Sequence, residues 1–198
     1  MSKKSFFQRN LPKIIITALI LAVLLYVTFF WGSTELRRRL PIKYEAEVKK
    51  YSQVYELDEA FVFAIICAES SFDAEAESDV GAKGLMQLMP STARWLVEKY
   101  KLEADPEMLF DADTNILLGC QYLSYLNGRF DNDKDLVLAA YNGGEGNVSE
   151  WLKDKRYSDD GIKLKTDKIP DSYSETKNYV KKVNKALEKY KKLYNTEK

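Results

Sequence analysis

The chain reads as an all-α protein, with one helical domain following a single long apolar segment. Two observations carry that reading. From residue 44 onward apolar residues recur at three- and four-residue spacing, and no convincing run of alternating strand residues interrupts them. Residues that cap, open or break helices also punctuate the stretches between.

The apolar segment comes first. Residues 14–31, "IIITALILAVLLYVTFFW", contain no charge and are broken only by two threonines. At about 1.5 Å per residue such a helix covers about 27 Å, close to the hydrocarbon thickness of a bilayer. Phe29, Phe30 and Trp31 would lie in the aromatic belt at one interface. A cleaved signal peptide is the competing reading. Its apolar region would be unusually long, and Gly32-Ser33-Thr34 makes a poor cleavage site, so an uncleaved anchor is expected. Lys3, Lys4, Arg9 and Lys13 precede the span and Arg37, Arg38, Arg39 and Lys43 follow it, so the positive-inside rule leaves orientation open. The expected division is a tail at 1–13, a transmembrane anchor at 14–31, a basic stalk at 32–43 and a helical domain at 44–194.

Within that domain Val48, Tyr51 and Tyr55 mark the apolar face of a first helix. Asp58 suits the N-cap of a second, from about Glu59 to Glu69. A polar loop with glycines follows, and Pro90 suits the first turn of a helix through Tyr100. "DADTNILLGCQYLSYLNG" predicts a helix opened by aspartates and closed by Asn127-Gly128. Asp133 or Lys134 starts the next, which ends at "YNGG". A short helix is expected around Trp151, then a lysine- and aspartate-rich loop to Pro170. In "SYSE", Ser172 and Glu175 have capping-box spacing at the start of the last helix. Its stripe Val180, Val183, Leu187, Tyr190 and Tyr194 predicts a seam docked on the domain.

Composition then removes whole classes of chemistry. There is no histidine, so no Ser-His-Asp triad, Cys-His pair or HExxH zinc site can be built. Lys+Arg and Asp+Glu are 30 each, and no global charge argues for nucleic acid. Cys67 and Cys120 lie in apolar segments and read as small buried hydrophobes; two thiols without histidine make no zinc site. The acidic run Asp73, Glu75, Glu77, Asp79 hints at a calcium loop, but Ser78 stands where that loop requires glycine and Gly84 where it requires glutamate. Neither a metal nor a cofactor is expected.

Carboxylates therefore become the candidates for acid–base work. In "AIICAESSFD", residues 64–73, Glu69 sits at the C-terminal end of a mostly apolar helix. The helix dipole disfavours negative charge there and apolar neighbours limit solvation. Both effects raise a carboxyl pKa, as a general acid requires. Taken alone, a solvated helix-end glutamate fits as well. In "SDVGAKGLMQLMP", residues 78–90, Gly81 and Gly84 permit a tight turn, Gln87 offers a donor and an acceptor, and Met89 offers an adaptable apolar surface. "LAAYNGG", residues 138–144, ends a helix on Tyr141 and Asn142, a phenol and an amide able to orient a sugar or the acid.

In this order these motifs resemble the soluble-type lytic transglycosylases, which share the goose-type lysozyme fold. The family pattern is an ES dipeptide closing a helix, then a serine, GAxGLMQxMP, AYN, and a proline followed by ETxxYV. Here these are Glu69-Ser70, Ser78, Gly81 to Pro90, Ala140-Tyr141-Asn142, and Pro170 with "ETKNYV" from Glu175 to Val180. The likeness spans roughly residues 45–185 and implies a lysozyme-like helical domain. It implies Glu69 as catalytic acid/base, with Ser70, Ser78, Gln87, Met89, Tyr141 and Asn142 around the scissile sugar. Glu175 belongs to the site in related enzymes, while its capping-box position supplies a competing structural role. Relatives usually carry alanine where this chain has Gly143, a change expected to cost at most some rigidity. "RYSDDGIKLKTDK" is poorly matched to the family, which leaves one wall of the groove undefined.

The implied reaction cleaves the bond between N-acetylmuramic acid and N-acetylglucosamine in peptidoglycan with a single glutamate and no net hydrolysis. Its product ends in 1,6-anhydromuramic acid. That substrate lies outside the cytoplasm, so a membrane-anchored enzyme is expected with its domain on the extracytoplasmic side. Two other readings stay open. If one of Asp73, Glu75, Glu77 or Asp79 activated water, the same fold would be a muramidase. A non-catalytic glycan-binding module is the third.

Overall fold

The computed structural model describes residues 10–11, 13–28 and 40–195. Residues 13–28 form helix α1, whose apolar side chains, among them Ile14, Leu19, Leu24 and Leu25, are exposed. Among the described residues no helix is long and apolar enough to cross a membrane. Residues 29–31 of the expected anchor, and most of the expected stalk, lie outside the described residues.

The domain is built around one helix, α3 (Glu59–Glu69). The Asp58 carboxylate caps it, accepting the Ala60 N–H at 3.0 Å. Every residue from Ala60 to Ile66 is buried, and a helix apolar on all sides must sit inside the protein. Preceding it, α2 (Glu45–Val54) buries Val48 and Tyr51. Along the other side lies the long C-terminal helix α8 (Ser174–Asn195), which packs on α3 more extensively than any other pair of helices does. The expected seam of α8 is real: Val180, Val183, Leu187 and Tyr190 are buried, and Phe63 of α3 stacks on Tyr190 and Tyr194 with ring centroids 5.6 and 5.9 Å apart.

Three further helices enclose this pair and a fourth joins through a smaller core. α4 (Pro90–Tyr100) starts on its proline, as anticipated. It shares that core of Leu88, Ala93, Leu96, Leu109 and Leu118 with α5 (Ala112–Arg129), whose cap Asp111 accepts the Thr114 N–H at 2.9 Å. Asn127-Gly128 does not close α5. The helix runs on to Arg129 because Leu126 and Phe130 are both buried, and that packing outweighs the poor helix propensity of glycine. Asp133 caps α6 (Lys134–Gly143), and α7 (Glu145–Lys153) buries Trp151.

The expected capping box of the last helix does not form. Ser172 lies inside a 3-10 turn, Asp171–Tyr173, and α8 begins after it at Ser174. Both cysteines are free; Cys120 is buried and Cys67 half-buried. Between α3 and α4 the described chain has no strand, only isolated antiparallel bridges pairing Lys83 with Glu77 and with Leu88.

Candidate active site

Glu69 is the last residue of α3 and lies in a cleft of about 1040 Å³. Three pieces of chain wall it: the loop from Ser78 to Met89, the end of α6, and the first turns of α8 with the turn before them. Ser78, Gln87, Met89, Tyr141, Asn142 and Glu175 all line it. Ser70 does not. Its hydroxyl points under the loop, donating to the Leu85 carbonyl at 2.9 Å and accepting the Phe72 N–H at 3.1 Å.

The loop is shaped by residues that must adopt left-handed backbone. Gly84 has φ +77°, and a Cβ there would stand 2.1 Å from the Leu109 carbonyl and 2.4 Å from the Asn115 amide nitrogen, so only glycine fits. Gln87 takes φ +47°. Its amide N–H groups donate to the carbonyls of Ala76 at 3.0 Å and Gly84 at 2.9 Å, so it offers the cleft an acceptor oxygen rather than both functions. Tyr141 is likewise engaged: its hydroxyl donates to the Met86 carbonyl at 2.8 Å and ties α6 to the loop. Asn142, half-buried near the end of α6, lines the cleft beside Tyr141.

Behind the loop stands a residue that sequence reasoning missed. Asn115 of α5 is fully buried; it accepts the Met86 N–H at 2.7 Å and donates to the carbonyls of Lys83 at 2.9 Å and Leu109 at 2.7 Å. Its signal was a lone amide where the apolar stripe of "TNILLG" begins. Two other neighbours of Glu69 were also missed, Tyr179 and Lys182 on α8. They follow Glu175 by four and seven residues, which sets all three on one helix face.

Burial holds the Glu69 carboxyl well above its ordinary range, at about 7, and the negative charge of Glu175 pushes the same way. The Tyr179 phenol and the Lys182 ammonium oppose both by favouring the carboxylate, but they do not overcome the loss of solvent. The Tyr179 hydroxyl is buried and faces the Glu69 carboxyl. Burial thus favours the protonated, acid form of Glu69 toward neutral pH.

The acidic run downstream does not face this site. None of Asp73, Glu75, Glu77 or Asp79 lines the cleft; Asp73 accepts the Glu75 N–H at 3.0 Å and Glu77 pairs with Lys83 at 3.6 Å. The second carboxylate in the cleft is Glu175. Among the described residues no cluster of histidine, cysteine, aspartate and glutamate could hold a metal ion. Residues 156–168, the segment poorly matched to the family, do not line the cleft; its far wall is the stretch from Ser172 to Thr176. Tyr173, packed edge-on against Trp151 at 5.0 Å, donates to Asn147 at 3.1 Å, and Asn147 donates to the Gly143 carbonyl at 2.7 Å. Gly143 is also tighter than expected: a Cβ there would come within 2.9 Å of the Thr176 hydroxyl, so α6 packs directly against the Thr176 side chain of α8 at this point.

A helical domain whose central helix ends on one acid of raised pKa, in an open polar cleft, has the architecture of the lysozyme-like proteins. Residues 47–163 match the transglycosylase SLT domain family, and the chain belongs to that family. It is 37% identical over 150 residues to the soluble lytic murein transglycosylase of Escherichia coli K12, covering 75% of this chain and 23% of that one. A membrane-bound lytic murein transglycosylase C from Pectobacterium atrosepticum is 32% identical over 169 residues, covering 75% of this chain and 47% of its own. The crystal structure of the 70 kDa soluble lytic transglycosylase of Escherichia coli superimposes with a TM-score of 0.72 at 34% identity, over 80% of this chain and 26% of that one. The chain therefore spans about a quarter of the soluble relatives and about half of the membrane-bound one.

Proposed function

We propose that this protein is a peptidoglycan lytic transglycosylase with Glu69 as its general acid and base. The observation that carries the reading is the position and state of that carboxyl: it ends α3 at the cleft and is held at about 7 by burial. The protonated carboxyl donates to the oxygen joining N-acetylmuramic acid to N-acetylglucosamine, and that glycosidic bond breaks. The substrate's own acetamido oxygen stabilises the cation that develops at the anomeric carbon. The Glu69 carboxylate then takes the proton of the muramoyl 6-hydroxyl, whose oxygen attacks that carbon and closes the 1,6-anhydro ring. The acid ends as it began, and no water is consumed. An internal nucleophile supplies the effective concentration that water would lack.

Around this centre Ser78, Gln87, Met89 and Asn142 contact the sugars. Tyr141 and Ser70 serve the site by holding the loop that carries Gln87 and Met89. Glu69→Gln keeps the shape of the side chain and removes the transferable proton. It is expected to lower cleavage of purified peptidoglycan by at least a thousandfold while glycan binding persists. Mass spectrometry of the wild-type products should show anhydro ends; turnover retained by the variant would sink the assignment. Reducing ends would instead favour hydrolysis with Glu175, the other carboxylate lining the cleft, as the base.

The domain reading is a cytoplasmic tail at 1–13, an anchor at 14–31, a stalk at 32–43 and a catalytic domain at 44–194. Its support is the exposed apolar surface of α1, which has no reason to face water, and the extracytoplasmic location of the substrate. The partners on this reading are peptidoglycan strands and the membrane, with no cofactor, metal or nucleic acid.

A further inference from the structure

We propose that Lys182 is a positioning residue for the catalytic acid, tying the end of α3 to α8 and supplying the positive charge beside which the Glu69 carboxylate forms. The inference rests on Glu69 being that acid. Its first support is geometric. The Lys182 ammonium donates to the carbonyl of Ala68, the residue immediately before Glu69. Carbonyls of a last helical turn have no partner within the helix and carry the negative end of its dipole. A lysine reaching in from α8 satisfies one of them and holds the neighbouring backbone in place.

The second support is the composition of the cleft. Among the described residues that line it Lys182 is the sole cation, and it shares the space with two carboxylates, Glu69 and Glu175. Glu175 and Lys182 lie two turns apart on one face of α8, with Tyr179 between them. One helix thus brings a negative charge, a phenol and a positive charge to the same acid. The groups acting on Glu69 are these three from α8 and Tyr141 from α6; α2, also packed on α3, contributes none.

The reaction needs both signs. Glu69 must hold a proton when the substrate arrives and must exist as a carboxylate once that proton has gone to the leaving oxygen. Burial and Glu175 secure the first state. Lys182 stabilises the second, where burial leaves the carboxylate poorly solvated. Without it the donated proton leaves behind a poorly solvated anion, and the proton transfer becomes less favourable.

The test is the pH dependence of kcat/KM on purified glycan strands, whose basic limb reports the ionisation of the acid in the free enzyme. Removing the neighbouring cation makes the carboxylate less stable, so Lys182→Met should move that limb to higher pH. Lys182→Gln keeps a donor for the Ala68 carbonyl and lacks the charge, and it should show the same displacement with the fold undisturbed. Lys182→Arg should restore the wild-type limb, and Glu175→Gln should move it to lower pH. Carbon-13 titration of the Glu69 carboxyl, assigned with Glu69→Gln, should follow the same order without relying on turnover. Limbs and titrations that superimpose on wild type, with only KM raised, would overturn the proposal and assign Lys182 to substrate binding. If Glu69→Gln itself cleaved, the underlying assignment would fail instead.

Discussion

At the residue scale, Glu69 carries a cost that its proposed role as the acid explains. Its folded carboxyl titrates at about 7 against an ordinary 4.5. As pH rises between those values, the unfolded chain releases this proton before the folded one does. The folded state then binds more protons, so stability contributed by this group is complete below about 4.5 and is lost as pH passes about 7. Glu69→Gln removes the dependence. In urea unfolding its stability relative to wild type should rise steadily from about pH 4.5 to about pH 8. An enzyme that stores a destabilised group where it reacts is expected to show this opposition of stability and activity.

At the scale of elements, the loop from Ser78 to Met89 is shaped by its own turns, such as the paired hydrogen bonds between Lys83 and Leu88, and is fastened to the domain by helix α5. Asn115 gives that loop and the neighbouring Leu109 three hydrogen bonds from a fully buried position. Asn115→Leu keeps the branched shape but strands the Met86 N–H and the Leu109 carbonyl, while the Lys83 carbonyl keeps the Leu88 N–H. It is expected to cost about 3 kcal/mol or more in urea unfolding, since each orphaned buried group costs about 1–3 kcal/mol. Cleavage should fall as well, because Gln87 and Met89 ride on the loop. The helices themselves were legible in advance wherever a cap preceded an apolar stripe, as at Asp58 and Asp133. The end of α5 was not, because burial of Leu126 and Phe130 overrides a local stop signal. Nor was the start of α8, where a 3-10 turn takes Ser172 out of the capping position.

At the scale of the whole molecule, α8 joins the two ends of the domain. Its first turns line the cleft, and near its other end the Tyr190 hydroxyl donates at 2.8 Å to the carbonyl of Pro41, where the expected stalk meets the domain. The bulky seam between α3 and α8 should make 40–198 fold without the apolar segment. In cell fractionation the full chain should pellet with membranes and release only with detergent, whereas a chain starting at residue 40 should remain in the supernatant. A full chain that stays in the supernatant would remove the anchor from this account.

Glu69 and most of the residues that line the cleft could be named before any coordinates because the motifs that carry the family resemblance are local runs of sequence: a carboxylate ending an apolar helix, glycines in a short loop, an amide at a helix end. Ser70 carried the same local signal, yet packing turned its hydroxyl inward. The partners that set the charge of the acid could not be read in this way. Lys182 lies 114 positions from the carbonyl it meets, and Asn115 lies 29 from the Met86 N–H it receives. Periodicity specifies which face of a helix is buried, but only the packing of α3 against α8 decides which polar side chain arrives beside Glu69, because that depends on how two helices register in space.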